Sequence, residues 1–247
     1  MKDLFSKNSD HYARFRPTYP TELFEYILSL VGNNSVAWDC ATGNGQFASV
    51  LAEHFETVHA TDISHNQIKN AIRKENIFYK VEPAEHTSLP DQSLDIITVA
   101  QAVHWFDFDK FYAEVNRTLK PNGIIVITGY ILPQIDEQID TLIHEFETNF
   151  LGDYWDKETL HVDEKYATIP FPYQEIHAPE FFSTLYWSIE QLLGFLNTWS
   201  GVRHYIEEHD TNPVTLFEPQ FRKFWHGNEI KEVKFPMLLR IGKANGN

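Results

Sequence analysis

The stretch Leu94-Asp-Ile-Ile-Thr-Val-Ala100 limits the possible folds more than any other part of the chain. Five of its seven residues are apolar and they do not alternate with polar ones, so as a strand it needs cover on both faces. Ile124 to Thr128 reads the same way, and shorter strand candidates lie at Ser35 to Asp39, Thr57 to Thr61 and Ile77 to Val81. Segments with helical spacing fall between them. Phe47, Val50, Leu51 and Phe55 make one; Ser64 and Gln67 form a capping box for a second that runs to about Glu75. Phe108 to Leu119 makes a third, stopped by Lys120-Pro121-Asn122-Gly123. Strands alternating with helices predict an α/β fold with a doubly wound, mostly parallel sheet built by right-handed crossovers.

The flanks are different. The prolines of Arg16-Pro17-Thr18-Tyr19-Pro20 block a helix and predict an extended arm. Thr21, as N-cap, opens a helix with Leu23, Ile27, Leu30 and Val31 on one face, and Gly32-Asn33 closes it. Beyond Tyr130 the rhythm breaks. A helix near Glu137 to Phe150 precedes a loop-rich region with Pro170, Pro172 and Pro179, then a strand at Phe181 to Trp187. Ser188 with Gln191 caps another helix, Ser200 and Asn212 open two more, and Glu232 to Ile241 predicts a closing strand. Half of the 36 aromatic residues lie between Phe146 and Trp225, which marks either a second hydrophobic cluster or a substrate cap. The expected architecture is seven strands, with residues 1–34 as arm and lid and 35–130 as the binding core. Residues 131–229 form a cap inserted before the last strand, and 230–247 the closing strand and tail.

Charge and composition exclude several functions. Over 247 residues, 35 acidic side chains against 20 Lys and Arg leave a net charge of −15, which disfavours a nucleic-acid partner. Cys40 is the single cysteine, so neither an intramolecular disulfide nor a cysteine metal cluster can form, and inert packing is its expected role. No His-Glu-x-x-His occurs and His204 and His209 are five apart, so no metal site is expected. Met1 to Asp10 has no apolar signal core, and the most apolar stretch, Gly123 to Pro133, is too short to span a bilayer. These features lead us to expect a cytoplasmic protein without a membrane partner, a monomer or a weak homodimer.

The chemistry concentrates after the first strand. Gly43-x-Gly45 at a strand-to-helix turn lets backbone approach a ligand closely, and Asp62, 17 positions past Gly45, is placed to accept the hydroxyls of a ribose. With Ala48 in the third place the run also satisfies a dinucleotide pattern, so an NAD-dependent oxidoreductase is one alternative. Asp39, four residues before Gly43, favours a positively charged cofactor over a pyrophosphate.

Asp39-Cys-Ala-Thr-Gly-Asn-Gly45 resembles the first motif of the class I S-adenosylmethionine-dependent methyltransferases, with Ala41 in the first glycine position. The likeness continues in order. Asp62-Ile63-Ser64 is similar to the acidic second motif, and Glu82-Pro-Ala84-Glu85 with Ser88 to Asp95 resembles the adenine-binding segment. Gln101 to Asp107 fits the motif after strand four, and Leu119 to Gly123 the turn before strand five. The arm Tyr12-x-x-Phe15-Arg16-Pro17-x-Tyr19-Pro20, His104-Trp105 and Thr198-Trp199-Ser200 resemble the branch related to trans-aconitate methyltransferases.

The resemblance implies S-adenosyl-L-methionine as cofactor and transfer of its methyl to an oxygen, carboxylate or hydroxyl, of a small molecule. It assigns Tyr12, Arg16, Asp39, Ala41, Thr42, Gly43, Gly45, Asp62, Ile63, Ala84, Glu85 and Gln101 to the cofactor. His104 would act as base toward a hydroxyl acceptor. Trp105, Trp199, Ser200 and Arg203 would line the acceptor site, with Arg14, Arg16 or Arg203 able to clamp an anionic acceptor. A catalytically silent cofactor-binding protein is the second alternative.

Overall fold

In the computed structural model, which describes residues 15 to 244, the apolar run becomes a central strand, β4 (Leu94–Ala100), buried at six of seven positions. Around it lie β1 (Val36–Cys40), β2 (Thr57–Asp62), β3 (Ile77–Val81), β5 (Leu119–Tyr130), β6 (Gln174–Ile176), β7 (Phe182–Trp187) and β8 (Lys231–Lys243). The main sheet runs β3-β2-β1-β4-β5-β8-β6, and β7 pairs with β8 off that path. The first five strands are parallel, and β8 joins β5 antiparallel. The result is the mostly parallel, doubly wound sheet that the alternation predicts.

Both faces are covered, as the composition of β4 demands. Ala37, Ile96 and Val126 face α1 (Thr21–Leu30) and α2 (Gln46–Leu51) through Leu23, Ile27 and Phe47. Trp38, Ile97, Val99 and Ile125 face Phe111 and Val115 of α4 (Phe108–Thr118) on the other side, after the short α3 (His65–Lys69). Adjacent residues of one strand thus enter opposite layers.

Local predictions shift in several places. Pro20, not Thr21, occupies the N-cap of α1, with no side-chain cap bond. The helix opened by Ser64 ends at Lys69 rather than near Glu75, because the Arg73 guanidinium takes the Ile68 carbonyl and the Ile72 amide bonds Asn44 O. Residues 120–123 do stop α4, yet they belong to a strand that begins at Leu119, with Asn122 at φ +66° and a register shift between Leu94 and Ile96. Finally, β6 lies inside the region read as loop; its three residues are too few to show a period.

The insertion between β5 and β8 carries a third core. Its helices are α5 (Glu137–His144), extended by one wide π-type turn over Glu145–Phe150, then α6 (Leu160–Asp163), α7 (Ile189–Leu196), α8 (Ser200–His209) and α9 (Pro213–Phe224). Ser188 and Gln191 make the expected capping box, Asn212 caps α9 through the Val214 amide, and Trp199 rather than Ser200 is the N-cap of α8. Phe146, Trp199, Phe217, Phe221, Trp225 and Phe235 pack together there, so the aromatic excess is a core of its own. No helix among the described residues is long and apolar enough to cross a membrane.

Phe235 on β8 is fully buried, with its ring 5.3 Å from Trp187, 5.2 Å from Phe195 and 5.6 Å from Tyr130. Phe235→Ala is expected to cost about 3–5 kcal/mol, read as a lowered urea midpoint at unchanged m-value. A loss below about 1 kcal/mol would show that the cap is not fastened through this ring.

Candidate functional site

Open parallel sheets hold ligands beyond the carboxyl ends of their strands. Here the two central strands end in residues forced into the left-handed region: Ala41 after β1 has φ +55° and Gln101 after β4 has φ +54°. For a residue with a Cβ that conformation costs about 1–2 kcal/mol. Tertiary bonds hold Gln101 there, its amide donating to Thr128 O and its side-chain Nε2 to Tyr130 O, each at 2.9 Å. Ala41 stands in a position where glycine would adopt the same angle freely.

Between these strand ends lies Asp39, fully enclosed. Thr42 Oγ1 donates to its Oδ2 at 2.5 Å and Thr98 Oγ1 to its Oδ1 at 2.8 Å. Burial outweighs both bonds and pushes its pKa up to about 6. Asp62, at the end of β2, accepts from the Gly43 amide through Oδ2 at 2.9 Å and from the Ser64 amide through Oδ1 at 2.8 Å. Gly45, the N-cap of α2, has φ +81°, and a Cβ there would strike the Tyr79 hydroxyl.

Asp39, Ala41, Thr42, Gly43, Asp62, Ile63 and Gln101 all line one cleft of about 980 Å³, its open mouth included. The arm contributes Arg16, Pro17 and Tyr19 to the same wall. Tyr12 and Arg14 lie outside the described residues. Gly45 shapes the turn without reaching the wall. Ala84 is buried among Trp38, Cys40 and Leu89, and Glu85 Oε1 accepts from the Asp107 amide at 3.1 Å, so neither lines the cleft.

A second cavity, about 1650 Å³ by the same measure, opens under the insertion. His104, Trp105, Trp199 and Ser200 line it, whereas Arg203 lies on neither wall and points a guanidinium nitrogen 3.5 Å from His204 Nε2. Arg16, Gln101, Trp105 and Tyr130 line both cavities, so the two meet. Tyr130, Glu147, Trp155 and Asp163 complete the second wall without having been singled out in the sequence. The one available signal was the position of Tyr130 at the end of a buried strand.

Arg16 bridges from arm to cap: its Nη1 donates to Tyr130 Oη at 3.0 Å and its Nη2 to Thr198 O at 3.2 Å. Its guanidinium also lies 5.4 Å from the Phe195 ring centre. Phe15 seats on Gly194 of α7, where a Cβ would collide with its ring. His104, in the short turn Val103–Trp105, is 7% exposed, and its Nδ1 is buried without a hydrogen-bond partner. Burial, with a lesser contribution from His161, drives its pKa down to about 3, so the ring is neutral at physiological pH.

The comparisons with known proteins agree with this geometry. Residues 38–127 match the Methyltransferase domain family. A Dictyostelium discoideum protein named as a methyltransferase is 32% identical across 98% of this chain and 95% of its own length. The chain belongs to the class I S-adenosylmethionine-dependent methyltransferases. A structure from Anaeromyxobacter dehalogenans, named as a type II methyltransferase, superposes with a TM-score of 0.87 at 35% identity, covering 94% of this chain and all of that one. The Saccharomyces cerevisiae protein CRG1, whose name specifies S-adenosylmethionine dependence, is 25% identical over 60% of this chain and 54% of its own.

The cleft of this methyltransferase suits the cofactor its family uses. Its donor set is two carboxylates, a glycine turn and the apolar side chain of Ile63. Arg16 is the one arginine or lysine on the wall among the described residues, and its guanidinium already bonds Tyr130 and Thr198. A ligand with a positive charge and free hydroxyls fits that set; a pyrophosphate does not, because the Gly43 amide is given to Asp62.

The Asp39 pKa makes a stability prediction. The folded carboxyl, at about 6, holds its proton more tightly than the unfolded one at 3.8, so its stabilising effect is complete below the unfolded value and is lost as pH rises through 6. Wild type should therefore lose about 2 kcal/mol relative to Asp39→Asn between pH 4 and pH 7. Urea midpoints of both proteins across that range check it, and a constant difference would refute it.

Proposed function

We propose that this methyltransferase holds S-adenosylmethionine in the cleft at the ends of β1, β2 and β4 and methylates a small molecule seated in the adjoining cavity. In this reading Asp62 accepts the ribose hydroxyls, Ile63 packs on the adenine, and Asp39 faces the methionyl amino group across the glycine turn. The observation that carries the proposal is the shared wall: Arg16, Gln101, Trp105 and Tyr130 belong to both cavities, so a donor in one and an acceptor in the other meet there.

Bound in that cleft, S-adenosylmethionine supplies a methyl group already activated by its positively charged sulfur. The chain's own residues then have to align the acceptor and keep water out. An oxygen lone pair of the acceptor forms the new bond to carbon while the carbon–sulfur bond breaks and leaves its electrons on sulfur. The acceptor group in this reading is a carboxylate or hydroxyl oxygen. A carboxylate has no proton to lose, whereas a hydroxyl must give one up. His104 is placed to orient the acceptor; a ring whose protonated form is suppressed to about 3 makes a weak base.

Calorimetry with S-adenosylhomocysteine tests the cofactor assignment. Wild type should bind it, and Asp62→Ala should bind it about tenfold or more weakly, as expected for losing hydrogen bonds to a charged acceptor. Affinity should also fall as pH drops below about 6, because Asp39 then takes up a proton and no longer attracts the ligand's amino group. No heat with millimolar S-adenosylhomocysteine, or tighter binding of NAD, would overturn the assignment.

A further inference from the structure

The wall of the second cavity combines two kinds of side chain. One is aromatic: Trp105, Tyr130, Trp155, Phe195 and Trp199. The other is acidic. Glu147 and Asp163 reach the wall from different elements, Glu147 from the wide turn that extends α5 and Asp163 from the end of α6. Glu147 sits in that turn with its side chain 16% exposed. The turn inserts one residue into the helical ladder, which re-aims the side chains after His144; such turns recur at functional sites.

The cationic side of the balance is thin. Arg16 is the one arginine or lysine on this wall among the described residues, and its two terminal nitrogens donate to Tyr130 and Thr198. Arg203, another of the arginines expected to clamp an anion, is off the wall. His104 is neutral. His144 Nδ1 stands 4.0 Å from Glu147 Oε2 on a largely exposed side chain. Burial, and then the charge of Asp163, raises the Glu147 pKa to about 7, and burial raises that of Asp163 as well. An anion brought into this cavity meets two carboxylates with little positive charge to offset them.

We propose that the cavity selects an aromatic hydroxyl acceptor and rejects a carboxylate one, with Glu147 accepting the hydroxyl's hydrogen bond, taking up its proton as the oxygen–methyl bond forms, and repelling anions. This rests on the reading of the cavity as the acceptor site and chooses between the two oxygen acceptors left open there. The aromatic walls give a flat ring its apolar contact, and a phenolic hydroxyl is a donor that a buried carboxylate lacks. A carboxylate of the same size brings a second negative charge and no donor.

The test uses matched pairs that differ only in the reacting group: 2-naphthol with 2-naphthoate, and 4-propylphenol with 4-propylbenzoate. Methyl transfer is followed as S-adenosylhomocysteine formed by the full chain. The phenol of each pair should exceed its acid by about tenfold or more in kcat/KM. In Glu147→Gln that ratio should shrink severalfold, while S-adenosylhomocysteine affinity in calorimetry stays unchanged. Inhibition by 2-naphthoate supplies a pH signature. It should strengthen as pH falls through about 7, where Glu147 becomes neutral, and lose that dependence in Glu147→Gln.

His144, Asp163, His104 and Arg16 share the wall with Glu147. His144→Gln should keep the pH dependence that Glu147→Gln abolishes. Asp163→Asn gives an independent variant should Glu147→Gln fold poorly, and it should also narrow the phenol-to-acid ratio. Acids favoured over phenols, no transfer to either phenol, or an unchanged ratio in both acidic-residue variants overturns the proposal. If S-adenosylhomocysteine itself does not bind, the functional reading fails first; if it binds and acids lead, this inference alone fails.

Discussion

The antiparallel pairing of β8 against β5 is the contact on which the site depends. Its second half, Met237 to Lys243, pairs with Tyr130 back to Ile124 and closes the core sheet. Its first half, Lys231 to Pro236, leaves the core and pairs with β7, which leads into the cap helices. One continuous strand of 13 residues therefore belongs to both layers. Phe235 sits where the two halves join and packs on Tyr130 from the core and on Trp187 and Phe195 from the cap. Tyr130 ends β5 at that junction, so its hydroxyl reaches Arg16 of the arm and it lines both cavities. Were β8 to pair only with β5, the insertion would have no fixed position over the strand ends, and the second cavity would lose its roof.

Closing the site in this way removes water from groups that water would otherwise solvate. Asp39 shows the consequence at the core end. It keeps two hydroxyl donors, Thr42 and Thr98, and still holds its proton to about pH 6, because two neutral hydrogen bonds do not replace the hydration of a carboxylate. A cationic ligand beside it would restore the missing compensation. Glu147 repeats the pattern at the cap end with fewer side-chain partners. Raised carboxylates thus lie on the walls of both connected cavities.

Much of the core was legible because its information is local. Leu94 to Ala100 and Ile77 to Val81 appear as strands at the residues expected, and Asp39, Ala41, Gly43 and Asp62 come together because each terminates or follows a strand of the same sheet. Where local reading failed, a distant group had intervened. The helix after Ser64 was cut short where the Ile72 amide turns to the distant Asn44 carbonyl. β6 is a strand only because β8 offers its Ile241 to Lys243 edge. Glu85, read from its motif as a neighbour of adenine, lies off the cleft wall and accepts from the Asp107 amide at the start of α4.

The wall of the second cavity was legible only in part, through His104, Trp105, Trp199 and Ser200, for a reason that follows from its construction. Its members come from the arm, the turn after β4, the end of β5, the extended α5, α6 and α7 to α8, and no spacing relates them. A motif can only record residues whose chain separation is fixed, and the cofactor cleft has such separations because one strand–turn–helix unit makes most of it. The cavity beneath the cap has none. What sequence did hold was the balance of charges: in a chain with 35 acids against 20 basic residues, the few arginines were read as candidate anion clamps. Arg16 is used to tie the arm to Tyr130 and Thr198, and the acids reach the wall in place of arginines. Charge selectivity in such a site is thus set by which side chains the packing leaves facing inward, a property of the assembled cap that composition alone does not encode.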